Sequence, residues 1–238
     1  MDNALYTSLN RQSGLMREMQ AVANNIANLS TTGFRREGVI FAEHVAALGD
    51  EAPSLSMATA EGRMIDLSQG VLSQTGGTFD MAIEGDGFFM IATPDGNQLT
   101  RAGAFTHSPE GELVTSDGFR LLDSGGGPVA VPAEARNIIV ARDGTLSADG
   151  QPLAQIGLFL PQETGDLVHA GGTRFRTTRE PQPMEGGAIF QGFLEGSNVN
   201  AVSEITRMIE VQRAYEMGQG FLDAEDGRIR SVTETLGR

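Results

Sequence analysis

The chain has 238 residues, long enough for one or two domains with a sizeable core. It has no Cys, which excludes disulfides, thiol catalysis and Cys-ligated metal sites, and all 17 basic residues are Arg, which excludes Walker A and Schiff-base lysines. The net charge of −14 is concentrated in the middle, where residues 46–196 carry −12 against zero for 1–45 and −2 for 197–238; the ends can pack densely, and the acidic balance opposes nucleic-acid binding.

The opening Met-Asp-Asn-Ala-Leu-Tyr lacks a basic n-region and an h-region, so no Sec signal is expected. No apolar run reaches the ~18–20 residues that span a bilayer. From Asn3 to Asn28, Leu5, Leu9, Met16, Met19, Ala23 and Ile26 recur at three- and four-residue steps, one helical stripe weakened by Gly14. Near its end stand Asn24, Asn25 and Asn28, poor helix formers where Ala or Leu would serve a core better. They read equally as a fraying, Asn-capped end or as a close-packed interface whose amides satisfy the backbone of a neighbouring helix. Ser30-Thr31-Thr32-Gly33 stops the helix.

Residues 34–75 lack clear periodicity and read as an extended connector with one or two short strands, Arg63–Leu67 among them. Beyond Gly76 the text alternates in short runs. Phe79–Ile83, Phe88–Thr93, Leu113–Thr115, Phe119–Leu122, Asn137–Ala141 and Gln155–Leu160 are strand candidates. Asp-Gly pairs at 86–87, 95–96, 117–118, 143–144 and 149–150 supply hairpin turns, which makes 76–197 an antiparallel all-β domain. In the last segment Val202, Ile205, Ile209, Gln212, Tyr215, Leu222, Ile229, Val232 and Leu236 restore the helical spacing, with Asn198 or Asn200 as the cap. A helix of ~35 residues reaches roughly 50 Å, too long to bury its stripe on a small sheet domain. It needs the N-terminal helix, and the continuous middle makes the pair antiparallel. Leu5, Met16, Met19 and Ile26 are expected to face Val202, Ile209, Tyr215 and Ile229 or their neighbours. The fold class is thus α+β: a terminal helical module (1–33 with 198–238), a connector (34–75) and a central β-domain (76–197). Such a plan suits an assembly part better than an enzyme.

The chemistry-bearing patterns are weak. The Asp-Gly loops lack an EF-hand carboxylate ladder, and turn chemistry explains them better than calcium does. Gly85-Asp86-Gly87-Phe88-Phe89-Met90 begins like a dinucleotide fingerprint but lacks its third Gly and the βαβ setting. His44, His107 and His169 have no metal-ligand spacing, and no Gly-x-Ser-x-Gly elbow occurs. Arg174, Arg176 and Arg179 read as a solvated strand face. No catalytic residue, cofactor or metal is expected. A secreted β-scaffold enzyme and a calcium-dependent adhesin are the remote alternatives.

Three sets of motifs, in order along the whole chain, resemble one family. Ala23-Asn24-Asn25-Ile26-Ala27-Asn28 with Thr32-Gly33-Phe34-Arg35 resembles the N-terminal signature of bacterial flagellar rod and hook proteins. Glu195-Gly196-Ser197-Asn198-Val199-Asn200 and Gln212-Arg213-Ala214-Tyr215-Glu216 resemble their C-terminal signature. Asp80–Phe89, Thr100–Phe105 and Gly111–Val114 look like their central β motifs. Within the family, the start, the approach to the last helix and the modest length look most like a proximal-rod member, with the distal rod as the alternative. The three Gly at 218, 220 and 227 depart from the usual last helix.

The resemblance implies a structural, non-enzymatic subunit of the basal-body rod that crosses the periplasm. It would be exported through the flagellar type III apparatus without a cleaved signal and would polymerise with copies of itself and other rod proteins into a torque-transmitting shaft. Nucleic acid, small-molecule substrates and a membrane span have no part in it. The implied assembly interface comprises Leu5, Met16, Met19, Asn24, Asn25, Ile26, Asn28, Phe34, Val202, Ile205, Ile209, Gln212, Arg213 and Tyr215. The terminal helices would line the tube, and the acidic β-domain would face outward.

Overall fold

The computed structural model describes residues 2–46, 55–184 and 186–236; the side chains of 2–6, 41–46, 55–62 and 236 lie outside the described residues. The chain divides into two compact units. Residues 1–27, 37–64 and 200–238 make a helical unit, and residues 28–36 with 65–199 make a β unit. The fold class is α+β, with a helix at each end and antiparallel strands between them.

The helical unit holds α1 (Asp2–Ala27), the paired strands β1 (Glu37–Ala46) and β2 (Leu55–Ile65, its last residue counted with the β unit), and α2 (Ala201–Leu236). Helix α1 stops at Ala27, one residue short of the expected stripe that ends at Asn28. There the Asn28 carbonyl accepts the Thr31 N–H at 3.2 Å and the Asn28 Oδ1 accepts the Thr31 hydroxyl at 3.0 Å, a local turn that competes with another helical turn. The two strands of the connector are longer than the short ones expected, 10 and 11 residues. Helix α2 runs unbroken through its three Gly, and Asn200 caps it: its Oδ1 accepts the Ser203 N–H at 3.1 Å. Asn198, the other cap candidate, is used elsewhere.

Contacts between the helices descend along one as they ascend along the other, Asn25 with Glu204, Glu18 with Arg207 and Gln12 with Tyr215, so the pair is antiparallel. The face that each buries corrects the expected pairing. Helix α1 buries Gln12, Leu15, Glu18, Ala21, Val22 and Asn25, and α2 buries Glu204 and Val211. Met16, Val202, Ile209 and Ile229 are exposed instead, and Met19, Ile26 and Tyr215 are half-buried. Leu5 lies on α1 with its side chain outside the described residues. The stripe legible in the sequence is therefore largely the outward one.

The β unit contains β3 (Leu72–Gln74), β4 (Met81–Glu84), β5 (Phe89–Thr93), β6 (Gly96–Thr100), β7 (Thr106–His107), β8 (Leu113–Val114), β9 (Arg120–Leu121), β10 (Ile138–Val140), β11 (Thr145–Ala148), β12 (Gln151–Gln155), β13 (Phe159–Leu160), β14 (Leu167–Gly171), β15 (Arg174–Thr177), β16 (Gln182–Pro183), β17 (Ala188–Gln191) and β18 (Phe193–Glu195). The largest sheet has the order β14-β15-β6-β5-β9-β8-β7, beside a β10-β11-β12 sheet and the pairs β13-β16, β17-β4 and β18-β3. The β11–β12 hairpin turns on Asp149 and Gly150, at φ 50° and 81°, which Asp tolerates and Gly adopts without strain. Strands were legible as short apolar runs, but Gln155–Leu160 proves to be the last residue of β12 and the whole of β13, separated by Ile156, Gly157 and Leu158.

Two apolar clusters fill this unit. One gathers Met81, Ile83, Phe89, Ile91, Leu121 and Leu146 among others, and the second gathers Phe88, Leu99, Phe159, Leu167 and Phe175. Side chains from opposite faces of β5 supply both, as the two-residue period of a strand requires. No helix among the described residues is long and apolar enough to cross a membrane.

Candidate assembly surface

Three arrangements bear on function: a polar clasp in the helical unit, a buried charge node in the β unit, and the outward faces of the helices. In the clasp, Asn25 is 0% exposed. Its Nδ2 donates to the Glu37 carbonyl at 2.8 Å and to Glu204 Oε2 at 3.0 Å, and its Oδ1 accepts the Glu37 N–H at 2.9 Å. One amide thus joins α1 to the starts of β1 and α2. Buried Glu37 also meets Arg63 at 3.3 Å. Further along, the Gln12 amide donates to the Tyr215 carbonyl at 3.0 Å, and Arg207 donates to Glu18 at 2.6 Å. Asn25 is therefore an intrachain bracket that offers no free surface, while Asn24 and Asn28 are half-buried.

The node centres on Glu195, at the end of β18 and fully buried. Its Oε1 accepts the Gly70 N–H at 2.8 Å and faces Arg35 Nη2 at 2.8 Å, while Oε2 faces Arg101 Nη1 at 3.3 Å. Burial draws the Arg101 guanidinium down to about 10, against the pull of the Glu195 charge. Phe34, beside Arg35, is also fully buried and lies edge-on to His169 at 6.1 Å. Phe34 and Arg35 belong to the interior of the β unit, so Phe34 has no exposed surface in the subunit. Gly33 has φ 71°, and a Cβ there would sit 2.3 Å from the Ala102 nitrogen, so only Gly fits. The cleft of about 440 Å³ beside Asp86, Phe88 and Arg101 has its cation already held by Glu195 and by the Ile83 and Gly85 carbonyls. Among the described residues no group of three His, Cys, Asp or Glu could hold a metal ion. Of the Arg trio, Arg174 lies over the Phe119 ring at 4.6 Å and Arg179 pairs with Asp166 and Glu163, so two of the three have specific partners.

The outward faces carry what a solvated helix would not. On α2, Val202 is 74% exposed, and Ile205 and Ile209 lie on the same side. At 3.6 residues per turn these three fall within about 60° of one another, turned away from the α1-facing Glu204 and Val211. Gln212 and Arg213 are exposed on the next turn, and Gln212 donates to Glu216 at 3.1 Å. Met217 and Phe221 continue the apolar exposure, and Leu9 and Met16 do the same on α1. Sequence spacing found these residues but could not say which face was inward. Reasoning from apolar periodicity missed the buried polar set Gln12, Glu18, Glu37, Glu195 and Glu204 altogether. Its only textual trace was the position of Glu195 at the head of a signature motif.

Three family profiles match in chain order: flagella basal body rod protein over residues 5–35, flagellar hook protein FlgE/F/G D1 domain over 82–148, and flagellar basal body rod FlgEFG protein C-terminal over 191–235. The chain is 40% identical to the flagellar basal-body rod protein FlgF of Caulobacter vibrioides over 245 residues, covering 100% of this chain and 99% of that protein. The chain belongs to the flagellar basal-body rod protein family. Membership carries the role of a structural rod subunit in the basal body. FlgF of Rhizobium meliloti is 35% identical over 100% of this chain and 99% of its own, and the rod protein FlgG of Bacillus subtilis is 32% identical over 98% of each. Among these relatives the chain is most like FlgF.

Proposed function

We propose that this subunit builds the proximal part of the rod, polymerising with copies of itself and other rod proteins through the second, outward face of its terminal helices. The observation that carries the reading is the exposed row Val202, Ile205 and Ile209 on a helix whose opposite face is already buried within the subunit. Large apolar side chains left in water at helical spacing mark a surface made to be covered. The most apolar parts of the implied interface, Met16, Met19, Ile26, Val202, Ile205 and Ile209, lie on these outward or half-buried positions. Gln212 and Arg213 add polar rim to it. Full-length alignment with FlgF proteins supports the proximal position.

The subunit acts without catalysis or cofactor. It leaves the cell through the flagellar type III apparatus and transmits torque as part of the shaft crossing the periplasm. The test replaces Val202, Ile205 and Ile209 together by Ser. Since none is buried in the subunit, the urea unfolding midpoint should stay where it is, while rods and swimming are lost from cells whose only copy is the variant. Full motility from that variant would overturn the reading. Complementation separately tests the position: the gene should rescue a strain lacking its FlgF relative and fail in one lacking FlgG.

A further inference from the structure

The Glu195 node is an odd way to hold a β unit together, and its oddity carries information. Two guanidinium groups share one carboxylate in a place without water access: Arg35 and Glu195 are 0% exposed and Arg101 is 2% exposed. Arg35 Nη2 lies close to the carboxylate without an aligned hydrogen bond, and Arg101 Nε has no hydrogen-bond partner. Such a set does little for net stability, because desolvating three charges consumes most of what their attraction returns. Removing the carboxylate alone, however, strands two buried cations.

The connections around it are all distant in sequence. The Glu195 carbonyl accepts the Gly33 N–H at 2.8 Å, and the Gly196 N–H donates to the Val71 carbonyl at 2.9 Å. Asn198 Oδ1 accepts the Arg36 N–H at 2.7 Å, and its Nδ2 donates to the Asp66 and Ser68 carbonyls at 2.9 Å each. Residues 195–198 thus sew the first segment of the β unit, 33–36, to the connector at 66–71. A Cβ on Gly70 would stand 2.1 Å from the Gly196 carbonyl oxygen, so the seam closes backbone against backbone.

We propose that this seam is a closure check on the β unit: the unit cannot cross its folding barrier until Glu195 joins Arg35 and Arg101, so a chain that stops short of Glu195 leaves it unfolded. Arg35 and Arg101 sit on segments that the core must bury; without Glu195 both lose their counter-charge, and Arg101 keeps only the Ile83 and Gly85 carbonyls. The node therefore forms at or before the barrier and not as a late adjustment.

Refolding of the full chain from urea, followed by pulsed hydrogen exchange at the amides of Phe89–Thr93, reads this directly. Glu195→Gln should slow refolding at least tenfold and change the unfolding rate less than threefold, the pattern of an interaction already made at the barrier. The opposite split, refolding within twofold of wild type and unfolding much faster, would overturn the proposal and leave Glu195 a structural brace. Should Glu195→Gln fail to fold, the combined Arg35→Met, Arg101→Met and Glu195→Leu chain decides. With no charge to wait for, it should refold faster than wild type, and an equal or slower rate would overturn the check.

Discussion

The three Asn residues of the N-terminal signature look alike in sequence and do different work. Asn25 makes three hydrogen bonds from a fully buried site, and its removal deletes two from the Glu37 backbone and one from the Glu204 carboxylate. Asn25→Ala should destabilise the helical unit by about 3 kcal/mol. The same change at half-buried Asn24 or Asn28 should cost under about 1 kcal/mol. Urea unfolding monitored by helical circular dichroism separates the three, and equal effects would refute the assignment. Nothing in the local text distinguishes them, because what singles out Asn25 is the arrival of Glu37 and Glu204, 12 and 179 residues away. Asp166 offers a second residue-scale test. Hydrogen bonds from the Thr178 hydroxyl first, then from Arg179, hold its carboxyl below the ordinary range. Its contribution is therefore present at neutral pH and lost as pH falls below about 4. Asp166→Asn should flatten the acid limb of the β unit's stability profile, and an unchanged limb would count against it.

Helices of this subunit have two useful faces, which is why their periodicity could be read correctly and oriented wrongly. Leu9, Met16, Met19 and Ile26 form a clear stripe, but the inward face mixes Leu15, Ala21 and Val22 with Gln12, Glu18 and Asn25 and has no such signature. The glycines of α2 are likewise unequal. Positions 220 and 227 face open space, whereas a Cβ at 218 would come 2.3 Å from the Gln12 amide that holds the Tyr215 carbonyl. Gly220→Ala and Gly227→Ala should each stabilise the helical unit by about 1 kcal/mol through helix propensity. Gly218→Ala must displace the Gln12 side chain, and the lost hydrogen bond offsets that gain, leaving the variant at or below wild type. Thermal unfolding of the three single variants checks this, and a uniform rise would refute it.

At the scale of the whole molecule the two units differ in how much they bury. Among the described residues the helical unit buries only Leu15, Ala21, Val22 and Val211 as apolar side chains, whereas the β unit has two apolar clusters. The free subunit should therefore unfold in two steps, helices first. Hydrogen exchange on the monomer should find Phe89–Thr93 protected under conditions where Ala201–Leu236 exchanges freely, and a single joint transition would disprove this. The α+β plan was legible because the spacing of apolar residues changes from helical to alternating along the chain. The division into units was less so: residues 28–36 carry the helix-ending signature yet belong with the strands, because Gly33, Phe34 and Arg35 find their partners at Ala102, His169 and Glu195.

The close passage of Gln12 over Gly218 also sets a ruler. Sliding the helices by one turn, about 5.4 Å, would put Gln12 against Ala214 or Leu222, where a side chain occupies the gap that Gly218 leaves. The pair therefore has one register, and every copy's helical unit has the same length. In a shaft made by repetition, an error of one turn in a single copy would misplace each copy laid after it. In the polymer proposed above, the missing Cβ at Gly218 would hold each copy's helix pair at the same spacing.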